Sequence, residues 1–325
     1  MKGRMKFAFE NTPENQSFFD LINLWSKSIP TCYFLDICCV SNIRESRKYL
    51  SNEMIGTDKY KFIKFLETLD FDNNAISYLP ALMEKTSDLF NDKSVNNLTA
   101  EVREDLEALH LFFKNAKVIE SPEFSDEYIN KMKSYHPEMN GQGYHDFLSF
   151  VNCSGIIDAV SKNKRLGYVK SFCEQADLLN IEKNSVVVIS AIACIYGCIP
   201  ARKVMKFKRE PGEFNSSNAL ADLQSVSRVA RMSNEIERGA RLGLTPYVRY
   251  SFITEDKNLN ILYDCFFVNG VEQEITENFV KNKITMTIEG KLLFPELFKI
   301  DGSFTDASAE DEFVEVLKYL GLSTT

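Results

Sequence analysis

Hydrophobic residues follow two different spacings along the first part of the chain. Residues 32–36 form a short apolar run that ends in a carboxylate, which is typical of a strand buried on both faces. Residues 58–69 and 74–90 instead repeat apolar side chains every three or four positions, which predicts amphipathic helices. A further helix over residues 18–25 precedes the strand. This alternation of helix and strand favours a mixed α/β fold.

The middle of the chain is predominantly helical in pattern. Residues 98–114 and 147–179 predict helices, whereas residues 121–144 contain proline, serine and glycine with little periodicity and are interpreted as a loop or insertion. Residues 184–189 are compatible with either a strand or the first turn of a buried helix, because a short apolar run has no distinguishing period.

The last third of the chain again alternates strand and helix. Residues 218–242 predict a long helix, and the β-branched and aromatic residues 247–254 predict a strand. A short helix over 258–263, a hairpin over 284–294 and a final helix over 309–320 complete the pattern. Together these elements predict a three-layer α/β/α sandwich with a mainly parallel central sheet.

Length and net charge limit how the protein can fold and where it can bind a polyanion. At 325 residues the chain is long enough to bury a core without disulfides or a structural metal. Its net charge of −8 argues against a surface that binds nucleic acid everywhere, so a polyanion site has to be a local patch.

The cysteines and the apolar runs bear on the cellular compartment in which the protein is expected. The eight cysteines are dispersed, which is typical of reduced thiols, and none of the three histidines suggests a zinc knuckle with them. The N-terminus lacks the apolar core of a secretory signal, and residues 186–199 are too short to span a bilayer. We therefore expect a cytoplasmic protein without a membrane segment.

Four acidic residues are candidates for one site. If the strands at 32–36 and 247–254 are parallel neighbours, Asp36 and Asp256 reach the same sheet edge; Asp222 starts a helix, and Glu84 lies in another. Acids that share a cleft repel one another unless a cation such as Mg²⁺ or Mn²⁺ is bound. Taken singly, Asp222 is also explained by the helix dipole, Glu84 by solvation and Asp256 by a turn. Asp36 is costlier to bury without a partner.

Four segments carry a resemblance to the PIN-like nuclease superfamily: residues 33–38, 76–84, 218–223 and 252–259 occur in that family's order. The resemblance implies a PIN-like fold in which Asp36, Glu84, Asp222 and Asp256 bind the metal and act in catalysis. It also implies supporting roles for Thr254, which would orient the strand end, and for Asn218 and Cys38. The sequence departs from the family at Ile37, where a small hydroxyl residue is usual.

The resemblance also implies a division of the chain, because it covers only residues 31–90 and 185–265. We expect a discontinuous PIN-like core formed by residues 1–91 and 181–269. Residues 92–180 are interpreted as a helical insertion, and residues 270–325 as a C-terminal extension of hairpin and helix.

Basic residues are concentrated in one part of the chain. Between residues 202 and 250 there are ten lysines and arginines against five acids, so a phosphate backbone could pass the metal cleft there. Solvation of a long helix explains the same charges equally well. His136 and His145 flank a glycine-containing loop and could bind a metal or transfer protons. The candidate nucleic-acid ligands are Lys206, Lys208, Arg209, Arg228 and Arg231.

The expected activity is hydrolysis of phosphodiester bonds by a metal-activated water, as in a metal-dependent endonuclease that cuts RNA rather than DNA. The resemblance allows a toxin or defence effector with an inhibitor or activator protein. One alternative is a catalytically inactive PIN-like scaffold that binds RNA or a protein. A haloacid dehalogenase-like phosphatase ranks lower, because Cys38 stands where that family has its second aspartate.

Overall fold

A small parallel sheet organises the first part of the molecule. The computed structural model describes residues 9–10, 12–90, 92–133, 135, 137, 142–157, 160–276 and 280–323. The sheet strands are β1 (Thr31–Leu35), β2 (Ala75–Ser77), β3 (Lys117–Val118) and β4 (Arg249–Ile253). Their order is β3-β2-β1-β4, and every neighbouring pair is parallel.

Strand β1, one of the two inner strands of the sheet, has the burial that its apolar composition predicts. Four of its five residues are buried and the fifth is half-buried, as expected for a strand covered on both faces. Leu35 is paired with Ile253, and the N–H of Asp36 continues the ladder by donating to the Ile253 carbonyl at 3.0 Å. The condition for bringing Asp36 and Asp256 to one sheet edge, a parallel pairing of the strands within 31–36 and 247–254, is therefore met.

Helices of the first half of the chain cover one face of this sheet. Helix α1 (Pro13–Lys27) precedes β1 and contributes no buried residue. The core on this face contains Leu35 and Ile76 from the strands and Ile63, Leu82 and Leu106 from helices. The helices after β1 are α2 (Ile37–Arg44), α3 (Ser46–Tyr49), α4 (Asp58–Glu67), α5 (Leu79–Ser87), α6 (Val95–Phe112) and α7 (Pro122–Met132).

A second, larger hydrophobic cluster lies among the later elements. Its centre is helix α10, all ten of whose residues are buried. An antiparallel pair of strands packs at its side. These elements are α8 (Gln142–Cys153), α9 (Lys162–Leu178), α10 (Val186–Ile195), α11 (Ile199–Met205), α12 (Ser216–Arg241), α13 (Lys257–Tyr263), β5 (Phe266–Ile275), β6 (Val280–Ile288), α14 (Gly290–Leu293) and α15 (Ala307–Leu320).

Helix α12 joins the two clusters. Its first half contributes Leu220 and Leu223 to the larger cluster. Its second half places Val229 against Cys32 and Phe34 on the other face of the parallel sheet. Helices therefore flank both faces of the sheet, which confirms the predicted α/β sandwich.

Several predicted elements differ from the observed ones. The helix expected over 74–90 begins with β2, because Ala75–Ser77 extends beside β1, and α5 starts only at Leu79. The expected loop at 121–144 contains α7, which Ser121 caps and Pro122 opens. The ambiguous residues 184–189 form the start of α10 after the Ser185 cap.

The predicted hairpin over 284–294 is wrong. Residues 284–288 belong to β6 and pair with β5, a strand that the pattern did not predict. The chain then turns at Glu289, whose N–H donates to the Cys265 carbonyl at 2.9 Å, and continues as α14.

The hydrophobic clusters also divide the chain differently from the predicted boundaries. Helix α6 and strand β3, both inside the predicted insertion 92–180, pack with the parallel sheet. Helices α8 and α9 of the same segment instead join α15 of the predicted extension in the larger cluster. Sequence pattern could not reveal this division, because an amphipathic helix does not encode its partner.

In the described residues, no single helix is long and apolar enough to cross a membrane. Helices α10 and α11 reach that length only as a pair, which is bent by 118° at the break between them.

Candidate functional site

A polar side chain follows or ends each strand at the carboxyl edge of the parallel sheet. Asp36 follows β1, Ser77 ends β2, Glu120 lies shortly after β3, and Thr254 follows β4. All four are buried, with exposed fractions of 9% or less. Ligands of open α/β sheets bind at this edge, so it is the first place to look for a site.

Asp36 is held by hydrogen bonds to both carboxylate oxygens. Its Oδ1 accepts from the N–H of Ile37 at 2.9 Å, which caps α2. Its Oδ2 accepts from Thr254 Oγ1 at 2.6 Å and from Cys38 Sγ at 3.0 Å. The predicted supporting residues Thr254 and Cys38 therefore both orient this carboxylate, and the sheet register is what brings Thr254 to it.

Asp256 is placed by the same strand end. Its N–H donates to Thr254 Oγ1 at 3.1 Å, and its Oδ1 accepts from the N–H groups of Asn258 at 2.7 Å and Leu259 at 3.1 Å. Asp256 is thus the N-cap of α13. The cap fixes one oxygen of the carboxylate in place.

Glu84 lies on helix α5 and is partly buried. Burial and, after it, the negative charge of Asp36 raise the pKa of Glu84 from 4.5 to about 8. The nearby Arg228 opposes this rise, and Asp222 adds to it. The structure therefore brings Glu84 close enough to two other predicted site acids for their charges to interact.

Asp222, on α12, also interacts by charge with the other candidate acids. Burial raises its pKa from 3.8 to about 6, although Lys206 lowers it, and the charges of Asp36 and Asp256 contribute to the rise. Lys206 Nζ donates to Asp222 Oδ2 at 2.8 Å, and Lys206 also feels the charges of Asp256 and Glu84. An ammonium group is thus paired directly with Asp222.

A cleft of about 670 Å³ has Glu84, one of the four acids, in its lining. Helix α5 contributes Glu84 to its wall, and α12 contributes Asn218, one turn before Asp222 on the same helix face. Ile37, whose N–H holds Asp36, also lines it. The cleft is large enough for a small ligand or part of a polymer.

The four acids do not form a ready-made coordination sphere. Across the described ranges, no three or more histidine, cysteine, aspartate or glutamate side chains are grouped closely enough to hold a metal ion. The donor chemistry nevertheless suits a hard divalent cation, because all four groups are carboxylates and two of them have raised pKa values. The residues fit such an ion by charge and ligand type rather than by preformed geometry.

The predicted nucleic-acid ligands separate into two groups. Lys206, Lys208 and Arg209 are exposed beside α11. Arg228 is only 3% exposed and donates to Ser87 Oγ at 3.0 Å. Arg231 is half-buried. Arg228, a candidate nucleic-acid ligand, is therefore buried, because α12 packs against both α5 and the sheet.

Of the two candidate histidines, the structure describes one. His136 lies outside the described residues. His145 is 5% exposed, lines the cleft, and its Nδ1 lies 3.0 Å from Ser216 Oγ at the start of α12. Burial lowers the pKa of His145. The sequence singled out His145 as a possible metal ligand or proton carrier, but its burial beside Ser216 depends on the packing of α8 against α12.

A buried polar network, missed in the sequence, fixes the helix that carries Glu84. Asp105 of α6 accepts from the Tyr78 hydroxyl at 2.7 Å and from Arg44 Nη1 at 3.1 Å, and it pairs with Lys85 Nζ at 3.0 Å. Asp105 and Tyr78 are fully or almost fully buried. Lys85 is the residue after Glu84, so this network ties α2, α5 and α6 together directly behind the cleft.

The raised pKa of Glu84 predicts a specific dependence of stability on pH. Between about 4.5 and about 8 the unfolded chain releases a proton that folded Glu84 keeps, so the free energy of unfolding falls as pH rises through this window. Glu84→Gln removes that titration. We therefore expect Glu84→Gln to melt at a higher temperature than the wild type at pH 8.5 in EDTA, and to differ little at pH 4.5.

The matched control is Glu174→Gln, at a position on α9 whose side chain is 63% exposed. It should follow the wild-type melting temperature at both pH values. A parallel pH dependence for Glu84→Gln and the wild type would contradict the assignment.

No protein-family model, no curated protein and no solved structure matches this chain.

Proposed function

We propose that the protein is a metal-dependent nuclease of the PIN-like type that hydrolyses phosphodiester bonds. One observation carries the proposal: the charges of Asp36 and Asp222 act on Glu84, and those of Asp36 and Asp256 act on Asp222. Asp36 follows β1, Glu84 lies on α5, Asp222 on α12 and Asp256 after β4. Like charges gathered at the open edge of a parallel sheet are stabilised by a bound cation.

The chain's own residues have distinct tasks in this proposal. Asp36, Glu84, Asp222 and Asp256 would hold Mg²⁺ or Mn²⁺, which when bound supplies an activated water and stabilises developing negative charge. Thr254 and Cys38 keep Asp36 oriented toward the site. Lys206 balances Asp222 and lies where it can contact a phosphate group.

The proposed substrate is RNA, in preference to DNA. Lys206, Lys208 and Arg209 form an exposed basic segment whose first residue pairs with Asp222, although the chain as a whole has a net charge of −8. Phosphate contacts of this kind make binding weaken as salt increases. Asn218, exposed on the cleft wall, adds a hydrogen-bonding group to the same surface.

The biological setting that we propose is a cytoplasmic toxin or defence effector whose activity an inhibitor or activator protein controls. All eight cysteines are free thiols, which suits a reducing compartment. The setting rests on the resemblance to PIN-like nucleases and on no contact of a particular residue.

A specific observation also favours the second candidate, a PIN-like scaffold that binds RNA or a protein without cutting. The Nζ of Lys206 lies 2.8 Å from Asp222 Oδ2, so an ammonium group neutralises one acid without a metal. A scaffold of this kind would need no divalent ion.

The test is cleavage of labelled single-stranded RNA and DNA of the same sequence by the wild-type protein in Mn²⁺, Mg²⁺ or EDTA. We expect metal-dependent cutting, faster for RNA, with EDTA abolishing it. We also expect Mn²⁺ to raise the melting temperature, because a ligand that binds only the folded state stabilises it. Binding of RNA without cutting, and with no thermal shift in Mn²⁺, would instead support the scaffold.

A further inference from the structure

Helix α1 presents a long apolar surface that no other element of the described chain buries. None of its fifteen residues is buried. Phe18, Leu21, Leu24 and Trp25 are 53%, 65%, 66% and 63% exposed. Helices with exposed apolar faces of this size are unusual in monomers and mark interaction sites.

The exposed side chains are arranged in a stripe. Phe18, Leu21, Ile22 and Trp25 follow the spacing i, i+3, i+4, i+7, which is the seam of a helix that packs against another helix. The opposite face carries Gln16, Asp20, Asn23 and Lys27. On this polar face, Gln16 Nε2 donates a hydrogen bond to Asp20 Oδ1 at 2.9 Å.

Among the described residues, hydrogen bonds join the C-terminal end of α1 to the parallel sheet and to the loop before β2. Ser26 accepts hydrogen bonds from Arg249 through its hydroxyl at 2.8 Å and its carbonyl at 3.0 Å. The carbonyl of Lys27 accepts from Asn73 Nδ2 at 2.8 Å, and its ammonium lies 5.3 Å from the Phe71 ring centre. These contacts fix the direction of the helix and leave its apolar stripe outward.

The size of the patch is close to what a stable interface requires. Aromatic side chains offer about 150–250 Å² each. With Phe9, Phe19 and Ile22 included, seven partly exposed side chains present on the order of 600 Å² per copy. A standard interface buries about 800 Å² per partner, and the flanking polar residues supply the difference.

We propose that α1 is a dimerisation helix whose partner is α1 of a second copy of this chain. A stripe with coiled-coil spacing is complementary to itself about a two-fold axis. Antiparallel pairing sets the first turn of one helix beside the last turn of the other. The opposed helix dipoles favour the same arrangement.

This interface is distant from the candidate site and independent of the proposed function. Helix α1 ends just before β1 begins, whereas Asp36 follows the other end of that strand. The dimer therefore leaves both clefts open, and its formation does not require metal or nucleic acid.

Trp25 is the single tryptophan of the chain, so its fluorescence reports directly on this surface. We expect light scattering after size exclusion to give twice the chain mass of 37.2 kDa at tens of micromolar. Dilution should shift the Trp25 emission to longer wavelength as the helices separate. Leu21→Glu should weaken dimerisation at least tenfold and give the monomer mass with red-shifted emission.

The matched control is Leu178→Glu, at a position on α9 that is 80% exposed, and it should remain dimeric. Circular dichroism verifies that both variants are folded. A wild-type monomer at all concentrations, or a dimer unaffected by Leu21→Glu, would overturn the proposal. So would a monomer whose Trp25 emission shifts to shorter wavelength only when phosphatidylcholine–phosphatidylglycerol vesicles are added, since the occupant would then be a lipid surface.

Discussion

Asp36→Asn is expected to lower metal-dependent cleavage by about a hundredfold or more, equivalent to about 2.7 kcal/mol or more of lost transition-state stabilisation. Asparagine retains the size of the side chain, and its carbonyl oxygen can still accept from Ile37. It removes the negative charge that acts on Glu84 and Asp222, and it replaces the oxygen that accepts from Thr254 and Cys38. Single-turnover cleavage of labelled RNA in saturating Mn²⁺ measures the effect.

The control for charge alone is Asp177→Asn on α9, whose side chain is 59% exposed and pairs with Lys183 at 3.1 Å. This variant should cut at the wild-type rate. Circular dichroism and the melting temperature separate loss of catalysis from loss of fold. If Asp36→Asn cut RNA as fast as the wild type, Asp36 would have no part in catalysis and the proposed metal site would be wrong.

Asp105→Ala is expected to destabilise the protein by about 3–5 kcal/mol, because it breaks a buried ionic network by removing one partner. The carboxylate is 2% exposed and holds Tyr78, Lys85 and Arg44. Its loss leaves the buried Tyr78 hydroxyl without this acceptor and reduces the negative charge beside Lys85. Urea denaturation measures the change as a shift of the midpoint.

Two further variants test whether the burial of Asp105 is the reason that Asp105→Ala destabilises the protein. Glu104→Ala removes the neighbouring acid, which also pairs with Arg44 but is 63% exposed, and should change stability by about 0.5 kcal/mol or less. Tyr78→Phe removes one hydrogen bond and should cost about 1 kcal/mol. Equal effects of Asp105→Ala and Glu104→Ala would contradict the network's role.

Partial loss of cleavage in Asp105→Ala is expected as well, because Lys85 neighbours Glu84.

The parts of this protein that its sequence determined are those set by local chemistry. An apolar run such as residues 32–36 can only be satisfied by burial on both faces, so β1 was predictable. Long helices with strong periodicity, such as α6 and α12, were predictable for the same reason. Asp36 and Asp256 could be assigned to one sheet edge, because parallel strands bring their carboxyl ends together.

The short elements depended on partners elsewhere in the chain. The three residues of β2 form a strand only because β1 lies beside them, and β5 and β6 form only as a pair. No local pattern distinguishes such segments from a helix or a loop. The same limit applies to the helices of residues 92–180, since α6 and α8 both look amphipathic yet pack in different clusters.

The details of the candidate site were decided by tertiary structure alone. The pairing of Leu35 with Ile253 delivers Thr254 to Asp36, and the end of α11 delivers Lys206 to Asp222. The packing of α12 buries Arg228, which by composition belonged on the surface. Residue type determines which groups can carry charge or bind a cation. Distance and burial, which depend on contacts between remote segments, determine the pKa values and partners of those groups.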